Sequence, residues 1–99
     1  MEIKKLELNV LEQAASMLKA IAHPQRIEIL NLMQQKERMT VTEIQQCLGL
    51  PQSVTSHHLG ILKDKGVLTC KREGKNIYYE LKHQVLSQII QCILTCNKQ

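Results

Sequence analysis

Residues 40–67, TVTEIQQCLGLPQSVTSHHLGILKDKGV, read as two short helices joined by a tight turn. Thr40 with Glu43 three places on is a capping box, in which hydroxyl and carboxylate each satisfy an amide orphaned at a helix start. The first of the two helices is therefore predicted to begin at Val41, with Val41, Ile44 and Leu48 as its apolar stripe. Gly49 can take the left-handed conformation that ends it, and Pro51 suits the first turn of the next helix, where its missing N–H would be unpaired anyway. At about 100° per residue, Ser53, Ser56, His57, Gly60 and Asp64 fall on one side of that next helix. Thr55, His58, Leu59 and Leu62 fall on the other. A helix that reads base edges in a major groove needs hydrogen-bonding groups outside and an apolar face for docking inside. This pattern supplies both and predicts a helix-turn-helix.

The chain is short, 99 residues, so a single domain spanning 1–99 is expected, with a core small enough that a partner subunit would add to it. It has no Phe or Trp, which leaves Leu, Ile, Val, Ala and Met to carry the packing of a mainly helical domain. No apolar run has the length of a membrane span, and the first residues, MEIKKLEL, are charged throughout; a cytoplasmic protein is expected. The formal charge of +4 and pI near 9.0 favour an anionic partner. Placement says more than the sum, because Lys63, Lys65, Lys71, Arg72 and Lys75 all fall in or just after the reading helix.

Upstream, Leu11, Ala14, Ala15, Leu18, Ile21 and Ala22 recur at helical spacing and predict a helix from Asn9 to Ala22 with one apolar face. His23 and Pro24 interrupt it, and Pro24 starts a second helix carrying Ile27, Leu30, Leu32 and Met33, closed by the polar run Gln34 to Arg38. Downstream, Val67–Cys70 and Ile77–Leu81 are β-prone runs flanking a polar tip from Lys71 to Asn76, the signal of a hairpin. A last helix from His83 to Cys96 carries Val85, Leu86, Ile89, Ile90, Ile93 and Leu94, more apolar surface than docking on one small domain requires. A two-fold copy accounts for the excess, with the last helix and part of the first packed against their equivalents. The expected fold is mainly α with a small β-hairpin, in the order α-α-α-α-β-β-α.

This order, together with three stretches, resembles the winged helix-turn-helix regulators of the ArsR/SmtB family. LKAIAHPQRIEILNLM, Leu18 to Met33, is similar to that family's second-helix signature. QSVTSHHLGILKDKGVL, Gln52 to Leu68, resembles its reading helix and entry to the wing, and GKNIYYEL, Gly74 to Leu81, its wing return. The resemblance implies a dimeric, sequence-specific repressor acting on a promoter, in many members released by a metal ion or a thiol-directed signal. The sensing positions depart from the family. Where metal-thiolate members carry Cys-x-Cys, this chain has Thr40 and Thr42. The four zinc-type positions hold His83, Val85, Cys96 and Gln99, and the disulfide pair is represented by Asn31 and Cys96. The effector is therefore unassigned, and the sequence requires no cofactor.

Cys47, Cys70, Cys92 and Cys96 form no CxxC. Cys47 reads as a small buried apolar group, and Cys70 as a structural residue at a strand end. Cys92 and Cys96, four apart, share a helix face that can chelate a soft metal, with His83 of a second copy as a further donor; the alternative is two thiols packed at a dimer seam. A thiol switch at either would need a depressed pKa, and Lys98 is the one cation close in sequence. His23 reads as a cap for the second helix, Arg26 as a partner for a carboxylate or carbonyl, and His58 as a hydrogen-bonded link between reading helix and core. No nucleophile, base and orienting acid come together and there is no phosphate-binding glycine loop, so no enzyme activity is expected. The expected DNA contacts are Gln52, Ser53, Ser56 and His57 in the major groove and Lys71, Arg72 and Lys75 of the wing on the flanking backbone or minor groove, with Lys63 also counted among the DNA-binding residues. The alternative is a winged-helix module that docks on protein. Such a wing would present apolar residues where this one presents Lys71, Arg72 and Lys75.

Overall fold

Side-chain caps open two of the helices, one at His23 and one at Thr40. The computed structural model describes residues 2–97, so Lys98 and Gln99 lie outside the described residues. Its elements are α1 (Leu8–Ile21), α2 (Pro24–Gln35), β1 (Met39–Thr40), α3 (Val41–Leu48), α4 (Gln52–Asp64), β2 (Leu68–Glu73), β3 (Asn76–Leu81) and α5 (Val85–Cys96). The Thr40 hydroxyl accepts from the Glu43 amide at 3.2 Å while the Glu43 carboxylate accepts from the Thr40 amide at 2.9 Å, the reciprocal pair expected at this helix start. Gly49 closes α3 at φ 66°, a region where any Cβ would crowd the backbone. Pro51 stands one place earlier than expected, as the residue before α4 rather than inside its first turn, with an extended ψ of 148°. Its carbonyl accepts from both the amide and the hydroxyl of Thr55, each at 3.1 Å.

The core gathers Ile29, Leu30 and Met33 of α2, Ile44 of α3, Leu59 and Leu62 of α4, Leu68 and Leu81 at the base of the hairpin, and Leu86 and Ile90 of α5. Two expectations change. The hairpin is joined by a third strand, since β1 pairs antiparallel with β3 through Met39 opposite Tyr79 and Thr40 opposite Tyr78, giving the sheet order β1-β3-β2. A two-residue strand is too short to carry a periodic signal and forms because β3 leaves an edge to pair. The polar tip is also tighter than expected. Lys71, Arg72 and Glu73 belong to β2, and only Gly74 and Lys75 turn, with Gly74 at φ 63° and no other residue type at positive φ, the backbone of a type II′ hairpin.

The first helix does not lie along the core as a platform. Among its residues only Ala20 and Ile21 are buried, while Leu11, Ala14, Ala15 and Leu18 of the expected apolar face are exposed, as is Ala22 just beyond the helix. On α5 the face opposite the core leaves Val85, Ile89 and Ile93 open. No helix among the described residues is long and apolar enough to cross a membrane.

Candidate nucleic-acid interface

The register of α4 divides as its sequence demands. Thr55, His58, Leu59 and Leu62 are buried, at 0, 4, 0 and 0% exposure. Gln52, Ser53, Ser56, His57 and Asp64 are exposed. The first two turns of α4 thus present an amide, two hydroxyls and an imidazole outward, all able to donate or accept at base edges. Lys63 is exposed too but lies in the last turn, about 16 Å along the axis from Gln52 at 1.5 Å per residue, so it is not adjacent to the N-terminal group.

The hairpin loses its cover toward the tip. Its base pairs Leu68 with Leu81, both buried, whereas residues 71–77 are all exposed. Lys75 stands at the turn and Lys71 and Arg72 on the strand behind it. Lys71, itself exposed, lies 3.6 Å from the half-buried Glu80 carboxylate across the ladder.

One anchor of this wing was invisible in the sequence. Arg38, in the link between α2 and β1, grips the Glu73 carboxylate through both terminal nitrogens, one contact at 3.0 Å, and its guanidinium lies 4.1 Å from the centre of the Tyr78 ring. The hydrogen bond to Arg38 holds the Glu73 carboxyl below its ordinary range. The partners are 35 positions apart and belong to no common periodic element, so no local pattern announces them.

Behind the reading stripe, the first turn of α2 holds α4. The His23 ring nitrogen Nδ1 accepts from the Gln25 amide at 3.1 Å, the expected cap. Arg26 donates through Nε to His58 Nδ1 at 3.0 Å and through a terminal nitrogen to the Ala20 carbonyl at 3.2 Å, and His58 Nε2 lies 2.8 Å from the Gln25 side-chain oxygen. The expected carbonyl partner of Arg26 and the linking role of His58 are both present, and Gln25 is the member that the sequence did not suggest.

The thiols divide differently from expectation. Cys47 is exposed rather than buried, because the core edge of α3 is taken by Ile44 with Val41 and Leu48 beside it. It lines an open hollow with Lys36, Met39, Glu43 and Gln46. Cys70 is half-buried opposite Tyr79. Cys92 and Cys96 are exposed one turn apart on α5, and His83 lies before its other end. Among the described residues, no three His, Cys, Asp or Glu side chains come together as a metal-holding group.

Residues 23–69 match the profile of the bacterial regulatory protein family named arsR. The chain is 39% identical to the transcriptional repressor PagR of Bacillus anthracis over 90% of its own length and 89% of the relative's, and 34% identical to the HTH-type transcriptional regulator YgaV of Escherichia coli over the same shares. The crystal structure of PagR superposes with a TM-score of 0.81, covering 88% of this chain and 99% of that one. A homodimeric winged helix-turn-helix DNA-binding domain from Mycobacterium bovis, 25% identical, superposes at 0.84 over 97% and 88% of the two chains. Matching that profile and similar to these regulators over 90% of its length, the protein belongs to the arsR family of bacterial regulatory proteins.

Proposed function

We propose that this regulator works as a homodimeric repressor that recognises an inverted-repeat operator in double-stranded DNA. Each copy places Gln52, Ser53, Ser56 and His57 in a major groove, while Lys71, Arg72 and Lys75 of the wing, with Lys63, hold the phosphate backbone. The observation that carries the reading is the division of α4, whose four inward residues are buried and whose N-terminal hydrogen-bonding groups are open to solvent. Two-fold symmetry places the half-sites about one helical turn or a multiple apart. The two copies meet through the exposed apolar residues of α1 and α5. Occupying a promoter is then sufficient to repress it, without catalysis, and the protein acts in the cytoplasm where that promoter is.

The test is selection of bound fragments from random duplexes, followed by affinities of variants on the selected site and on scrambled DNA. Replacing Lys75 with Ala weakens binding to both and lowers the slope of log affinity against log salt by about one. Replacing Gln52 or Ser56 with Ala costs about 1 to 3 kcal/mol per contact on the selected site and little on scrambled DNA. Equal losses on every sequence from both kinds of replacement would overturn the assignment of readers and holders.

A further inference from the structure

We infer that His58 is the positioning residue of the reading helix, working only as the neutral Nε2–H tautomer clamped between Arg26 and Gln25, so that one proton at Nδ1 loosens α4 and weakens DNA binding. The effect on DNA rests on the reading given under Proposed function; the tautomer stands without it.

The geometry leaves one solution for the ring. Arg26 Nε can only donate, so the nitrogen it meets, Nδ1, must hold a lone pair. A neutral imidazole with a bare Nδ1 carries its hydrogen on Nε2, which finds the Gln25 oxygen. Arg26 cannot turn away at no cost, because its terminal nitrogen is engaged by the Ala20 carbonyl at the end of α1. Among the described residues no buried side-chain nitrogen or oxygen lacks a partner, so the neutral arrangement is fully satisfied.

A proton on Nδ1 would set N–H against N–H and a cation against a guanidinium that never deprotonates. The charged and titratable groups facing the ring are His23 and Arg26 from the start of α2, with His23 centred 4.7 Å away, and His57 from its own helix, centred 6.0 Å away. None offers a negative charge to receive the proton. Burial first, then the fields of His23, Arg26 and His57, hold the ring below its ordinary value of 6.5. In the unfolded chain the ring takes its proton near that ordinary value. Its contribution is thus intact above 6.5 and is lost as pH falls through the lowered folded value.

Two measurements on the full chain decide the matter. Long-range nitrogen–proton correlation spectra of the histidine rings should give His58 the signature of a neutral Nε2–H ring that persists below its ordinary value of 6.5. Anisotropy titrations with a duplex selected at neutral pH, repeated between about pH 8 and 5, should show affinity falling by up to about tenfold per pH unit for each His58 engaged, one on a half-site and two on a full operator. His58→Gln, whose amide can accept from Arg26 and donate to Gln25 without titrating, should bind at neutral pH and lose the acid sensitivity, whereas His57→Gln should keep it. An Nδ1–H ring, a His58 midpoint at or above 6.5, or acid sensitivity surviving in His58→Gln would overturn the inference. If His58→Gln fails to fold, the ring spectra of the unmodified protein still decide it. Failure to bind any duplex at neutral pH would instead overturn the DNA-binding reading, with the tautomer judged by the spectra alone.

Discussion

At the scale of single residues, Thr40 and Glu43 show how two side chains set the start of α3, the helix packed against α4. Thr40→Ala removes the hydroxyl from one orphaned amide and is expected to destabilise the protein by about 1 kcal/mol in chemical denaturation. Glu43 adds a pH dependence. Its carboxyl is held below 4.5 by hydrogen bonds from Lys36 and the Thr40 amide, so this contribution is present above 4.5 and declines as pH falls through the lowered folded value. The same denaturation measured down that range should show a shallower acid loss in Glu43→Gln than in the parent. The capping box was legible because four consecutive positions contain it. Arg38, Glu73 and Tyr78 were not, since a guanidinium in a loop has no preferred partner until the chain folds and brings one to it.

The helix-turn-helix is decided at the scale of the element by backbone conformation as much as by side chains. Gly49 sits at φ 66° with nothing within 4 Å of the place a Cβ would occupy. Gly49→Ala therefore meets no neighbour and should cost only the left-handed backbone penalty, about 1 to 2 kcal/mol, read as a lowered melting temperature with the fold retained. The α4 register could be read from sequence because a period of 3.6 repeats over thirteen residues. α1 shows the limit of that logic. Its apolar face was found correctly by period, but periodicity reports that a face is apolar, not what covers it, and most of that face meets solvent within one chain. β1 and the exact hairpin tip escaped for another reason: pairing partners forty positions apart and a two-residue turn are decided by the edge of β3, outside any local window.

At the scale of the whole molecule, the chain is more extended than a closed domain of its size. Its radius of gyration is 15.0 Å, against about 13 Å for a compact domain of 100 residues, and its longest dimension is 53 Å. Leu8, Val10, Leu11 and Leu18 on α1 and Val85, Ile89 and Ile93 on α5 make up much of the apolar surface left exposed. Ile89→Glu, placed on this surface and away from the core, should shift sedimentation from dimer to monomer and lower affinity for a two-half-site operator far more than for a single half-site.

Holding α1 to its own chain by little more than its last turn makes the helix a debtor to the other copy. Association and folding of that segment then become one equilibrium, and mass action reaches into stability. Melting temperature should climb with protein concentration, α1 amides should exchange hydrogen fastest in dilute samples, and the quantity of protein in a cell would itself tune how many molecules are competent to repress.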